Sequence, residues 1–185
     1  MLAVSTQSLA VLSASLAMRG HAAWLARVAL ALFLLGLVFY AFVLARFDYA
    51  QLSAGRGDHW ITGGALAIST LVAAQITLAH PLAALSGALK LTTVVLWALT
   101  IVWLPALLIG EAVWPRPRYD LRRWSTVFPL GMYAACSFAA GSVAHAPPIT
   151  QFARVWIWAA LAVWVIVSLA MARRWQAPLS RRTSP

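Results

Sequence analysis

Phe128-Pro129-Leu130-Gly131 is the segment of the 185-residue chain with the most chemical content. It lies inside a long apolar run. There Pro129 removes the backbone hydrogen bond to the Ser125 carbonyl and its ring clashes with that carbonyl. Gly131, half a turn onward, adds backbone looseness. A break in a membrane helix is tolerated where it is buried in protein or lines a cavity. Phe128 stands directly at this break, either as a packing aromatic beside a structural kink or as a ring set against a cavity.

A second pattern lies upstream. Gly63, Ala67, Thr70, Ala74 and Thr77 recur at spacings of four and three, which places them on one face of a helix. That face is small and polar, while Ile61, Ala65, Ile68, Val72 and Ile76 form an apolar one. Small residues suit close helix packing, and hydroxyls along a narrow groove suit a wet pathway; both readings stand at this point. Ser5, Ser8 and Ser15 form a weaker face with Leu12 near the start of the chain. Gln7 falls off that face and is expected to bond to a neighbouring helix.

Other chemistries lack their residues. His21, His59, His80 and His145 all fall at helix ends or in loops, with no HExxH pair. Asp48, Asp58, Glu111 and Asp120 are peripheral, so the intramembrane carboxylates of proton relays are missing. Cys136, the single cysteine, excludes a disulfide scaffold and a cysteine-based zinc site. No cofactor or metal is expected. A membrane-embedded enzyme would have to rely on His59 with Asp58, or on His145. An anion pathway, by contrast, needs no buried charge, because hydroxyls and basic vestibules attract anions. Arg116, Arg118, Arg122 and Arg123 could form such a vestibule, or could serve topology alone.

The elements that must position these residues follow from composition. Hydrophobic residues make up 63% of the chain, charged residues only 10%, and the mean hydropathy is +0.83. A soluble domain carries about 25% charged residues, so an all-α polytopic transmembrane bundle is expected. Six apolar stretches approach the roughly 20 residues that cross a bilayer, and their cores hold no Asp, Glu, Lys or Arg. They predict helices over about 1–18, 22–45, 60–79, 88–110, 123–144 and 152–172 of a single transmembrane domain, 1–174, followed by a cytoplasmic basic tail, 175–185. The breaks are Arg19-Gly20-His21, Gly55-Arg56-Gly57-Asp58, His80-Pro81, Pro115-Arg116-Pro117-Arg118, Pro147-Pro148 and Pro178. The first stretch lacks the preceding basic residues of a signal peptide. Interfacial anchoring accounts for much of the high Trp content.

The net charge of +10 comes from basic residues set between apolar runs, which points to membrane topology and not to nucleic acid. Arg46, Arg56, Arg116, Arg118, Arg122, Arg123, Arg173, Arg174, Arg181 and Arg182 fall on one side, against Arg19, Arg27, Lys90 and Arg154 on the other. This asymmetry puts both termini in the cytoplasm of a cell-membrane protein. Ser, Thr, Asn and Gln number fifteen in the odd spans and four in the even ones. Polar groups avoid hydrocarbon, so odd helices should be inner and even helices outer, facing lipid.

Thr6-Gln7-Ser8-Leu9-Ala10-Val11-Leu12, Gly64-Ala65-Leu66-Ala67-Ile68-Ser69-Thr70, Trp103-Leu104-Pro105 and Phe128-Pro129-Leu130-Gly131-Met132-Tyr133-Ala134 occur in this order. Together they resemble the tellurite-resistance/C4-dicarboxylate transporter family, which includes sulfite and malate exporters and plant slow-type anion channels. The resemblance implies five helical hairpins around a pore lined by odd helices, a trimeric assembly, and a Phe that plugs the pore, a role that would fall to Phe128. It implies passage of C4-dicarboxylate, sulfite or tellurite-type anions. It covers only the last six of the family's ten helices. The expectation is therefore a channel-like anion transporter or, alternatively, a truncated product or one half of a split transporter that lacks an N-terminal partner and acts in assembly.

Overall fold

The computed structural model describes residues 2–20, 22–46, 59–79, 82–113 and 120–180. Within them the chain forms six helices: α1 (Leu2–Met18), α2 (Trp24–Ala45), α3 (His59–Leu78), α4 (Ser86–Val113), α5 (Trp124–Ala144) and α6 (Pro147–Ser180). No strand occurs among the described residues. Five of the six are long and apolar enough to cross a membrane. The sixth, α1, has 17 residues and rises about 25 Å, the lower limit for a span.

Helix boundaries follow local chemistry. Gly20 ends α1 with φ +77°, the left-handed conformation that glycine adopts without a Cβ clash. Pro147 and Pro148 open α6, where a missing N–H costs nothing. The breaks expected at 55–58, at His80-Pro81 and at 115–118 lie outside the described residues. Pro105 sits inside α4, which runs on to Val113. One expectation is corrected: Pro178 does not end α6, since this 34-residue helix continues past the expected tail boundary to Ser180.

Side-chain pairings fix the topology. Gln7 of α1 meets Phe33 of α2 and Ser69 of α3, while Ser15 meets Gln75. Residues 7 and 15 thus rise alongside 69 and 75, so α1 and α3 are parallel. Trp103 pairs with Thr62 and Thr100 with Thr70, so α4 is antiparallel to α3. Trp97–Ser137 with Glu111–Arg123, and Trp156–Leu130 with the close approach of Gly141 to Thr150, set α5 antiparallel to both α4 and α6. Three hairpins result, with α1, α3 and α5 all pointing one way.

Burial shows the two layers with one exception. The apolar window of α3 is 72% buried and that of α5 56%, against 17%, 22% and 11% for α2, α4 and α6. Helix α1 buries only a stripe, Ala3, Gln7, Ala10 and Ala14, and is therefore less enclosed than an inner helix should be. One core joins Ala10, Ala14, Phe33, Val72 and Ile76. A second joins Trp60, Ala67, Leu107, Leu130 and Tyr133.

Candidate functional site

The proline in α5 seats on a glycine in α3. Pro129 is fully buried. A Cβ at Gly64 would lie only 3.0 Å from its Cγ and 3.3 Å from its Cβ. The absence of that atom lets the ring approach the α3 backbone. Helical spacing then divides α5. Pro129, Tyr133, Cys136 and Ala140 share the buried face. Phe128, 49% exposed, falls on the open face together with Gly131 and Ser142. Gly131 has no neighbour within 4 Å of a notional Cβ. It borders an apolar groove of about 230 Å³ shared with Val127, Ile157, Leu161 and Trp164. From α6, the Trp156 indole donates to the Leu130 carbonyl at 3.1 Å, one residue beyond the proline.

The small face of α3 packs against α4. A Cβ at Gly63 would collide with Leu107 and the Tyr133 hydroxyl. Thr70 Oγ1 lies 3.3 Å from Thr100 Oγ1, and each hydroxyl also bonds to its own helix. Ala67 and Ala74 are completely buried. Of the two readings left open by the sequence, the geometry here is close helix contact: small side chains let the helices approach, and the Thr70 and Thr100 hydroxyls find protein partners. Thr77, half-buried, donates to the Ala73 carbonyl at 2.8 Å.

The serines of α1 behave differently. Ser5 and Ser8 are exposed, and Ser8 donates to the Val4 carbonyl at 2.9 Å. Ser15 is half-buried and reaches Gln75 Oε1 at 3.4 Å. Gln7 is buried and donates to Ser69 Oγ at 3.0 Å and to the Phe33 carbonyl at 3.3 Å, as its off-face position suggested. It occupies the space left by Gly36, where a Cβ would overlap its amide. One glutamine therefore ties α1, α2 and α3.

Two features were not read from the sequence. Three indoles on outer helices donate inward: Trp97 to Ser137 (2.9 Å), Trp103 to Thr62 (3.3 Å) and Trp156 to Leu130. Interfacial anchoring does not describe them. The signal was there, since an N–H inside an apolar helix needs an acceptor, and the hydroxyls lie on odd helices. The second feature is at the arginine-rich end. Arg123 donates to Glu111 Oε1 at 3.0 Å, and Trp60 donates to Glu111 Oε2 at 3.3 Å. Arg123 is thus held by a carboxylate and is not a free vestibule cation. Arg116, Arg118 and Asp58 lie outside the described residues. His145 is exposed at the turn between α5 and α6.

A bundle of antiparallel hairpins with five spanning helices and polar groups turned inward defines a multi-pass membrane protein. The chain belongs to the voltage-dependent anion channel (SLAC1) family, whose model matches residues 1–172. It is 35% identical over 132 residues to two uncharacterized membrane proteins of Mycobacterium tuberculosis, one from strain CDC 1551 / Oshkosh and one from strain ATCC 25618 / H37Rv. Each match covers 66% of the chain and 66% of the relative, just under two thirds of its length. No solved structure matches the chain significantly.

Proposed function

We propose that the chain carries small anions across the cell membrane, with Phe128 as the gate on α5. Membership of an anion-channel family supports the class of activity. The observation that carries the gate is the split of α5 around its proline: Pro129 is locked against Gly64 while Phe128 is exposed. A rigid seat beside a projecting ring allows rotamer change without disturbing the core. Gly131, with open space around it, gives the same segment freedom to bend. Ser5, Ser8 and Ser142 supply hydroxyls on exposed faces of the inner helices. Gly63, Ala67, Thr70 and Ala74 act behind that wall by fixing α3 to α4, with Thr77 and Ser15 at its far end. C4-dicarboxylates, sulfite and tellurite-type oxyanions are the substrate class, and both termini lie in the cytoplasm.

The test is anion efflux from liposomes holding the purified protein. Phe128→Ala should raise the rate, and a rate no higher than that of the parent refutes the gate.

A second reading is favoured by the open faces of α1 and α5. Leu9, Leu12 and Phe128 are each about half exposed or more, so the three hairpins can form one wall of a larger pore completed by further copies or by other helices. Crosslinking in native membranes, followed by mass determination, separates a lone chain from an assembly such as a trimer.

A further inference from the structure

At the end of the bundle opposite the Glu111–Arg123 pair, a cavity of about 380 Å³ opens between α5 and α6. Its lining includes His145, Thr150, Gln151 and Arg154. That volume falls within the roughly 300–1,000 Å³ of small-molecule sites.

The donors here are side chains. Pro147 and Pro148 have no N–H, and the Ile149 and Thr150 amides both bond to the Ala146 carbonyl. The first turn of α6 therefore has few backbone donors to offer. The side chains of Arg154 and His145 form no hydrogen bond or ion pair among the described residues, so both remain available to a ligand. The carboxylates described, Glu111 and Asp120, lie at the other end of α5, about 30 Å away along a 21-residue helix. No described acid competes for the guanidinium. His145 is also held in place. It caps α5 in the left-handed conformation (φ 53°, ψ 39°), and the Ala146 N–H donates to the Gly141 carbonyl at 3.1 Å. A histidine occupies a position that glycine usually fills.

We infer that this cavity binds a phosphate-class oxyanion through Arg154, His145 and Gln151. A guanidinium offers paired donors that match two oxygens of a phosphate, and an imidazole N–H and an amide N–H can take others. The site is also at the right depth. Helix α5 is about as long as the hydrocarbon core is thick, so its C-terminal turn sits at headgroup level. The same chemistry is therefore supplied by free phosphate and by an anionic lipid headgroup. The inference is independent of the Phe128 gate, which lies near the other end of α5.

The experiment measures binding and not flux. Calorimetry with inorganic phosphate, on purified full-length chain in micelles, reads the free ion. Native mass spectrometry after exposure to phosphatidylglycerol micelles reads the lipid. Binding is expected in at least one arm, and the arm identifies the source. Arg154→Gln should weaken it about tenfold or more, and Arg154→Lys should restore part of it. Arg173→Gln, an exposed change at the opposite end, should leave it intact. Arg154 is exposed, so its replacement leaves the fold in place. Parent protein that binds neither probe, an Arg154→Gln variant that binds like the parent, or an equal loss in Arg173→Gln overturns the assignment.

Discussion

Adding one methyl group at Gly64 is the sharpest test of how α5 is held. The new Cβ would stand 3.0 Å from Pro129 Cγ, where ordinary contacts begin at 3.4 Å. A flexible side chain could swing aside, but a proline ring is fixed to its own backbone, so α5 itself has to retreat by a few tenths of an ångström. Overpacking of this kind costs about 1–3 kcal/mol. Replacing glycine by alanine inside a helix returns roughly 0.5–1 kcal/mol. The net loss is up to about 2.5 kcal/mol and centres on about 1 kcal/mol, a factor of about 5 in the folding equilibrium. Gly131→Ala is the matched control, because it sits in α5 with open space around its notional Cβ; it should gain the helix term alone. Reversible unfolding in mixed micelles compares the two. If Gly64→Ala is as stable as Gly131→Ala, the proline seat is not a tight contact and the locked Pro129 beneath the Phe128 gate is refuted.

Three further outcomes are expected. The Tyr133 hydroxyl is buried without a hydrogen-bond partner, so Tyr133→Phe should be neutral or stabilising by up to ~1 kcal/mol; a clear loss in the same unfolding assay would reveal a partner for the hydroxyl. Trp97→Phe removes the bond to Ser137 and should cost about 0.6 kcal/mol, at most ~1.7 kcal/mol; a larger loss would show that packing and not the hydrogen bond dominates there. Cys136 is fully buried, so a charged maleimide should label it only after unfolding; rapid labelling of the folded protein, read by mass shift, would mean that α5 opens toward water.

Much of the fold was legible because membranes leave few options. Backbone groups in hydrocarbon must bond within a helix, so apolar length alone set the positions of α2 to α5. Gln7 was legible for a related reason, since a lone amide in a greasy stripe needs a protein partner. The partner of the Gly63–Thr77 face was not legible. Helical periodicity says which residues share a face but not which neighbour that face meets, and the neighbour proved to be the outer helix α4. The open face of α1 was not legible, because counting its hydroxyls does not show that Ser5 and Ser8 stay exposed in the single chain. Pro178 misled because a single proline can sit within a helix that continues on either side of it. The α5–α6 cavity needs the left-handed turn at His145 to form, and nothing in the residue pattern marks a histidine for that conformation.

The shared direction of α1, α3 and α5 gives the bundle an electrical polarity. Each helix behaves as if about half an elementary charge, positive, sat at its amino end. Three such ends lie at the same end of the bundle as Arg46 and Arg123, and the oppositely directed α2, α4 and α6 bring their negative ends to that end as well. The opposed half-charges therefore alternate from helix to helix at that end, a pattern that no single substitution erases.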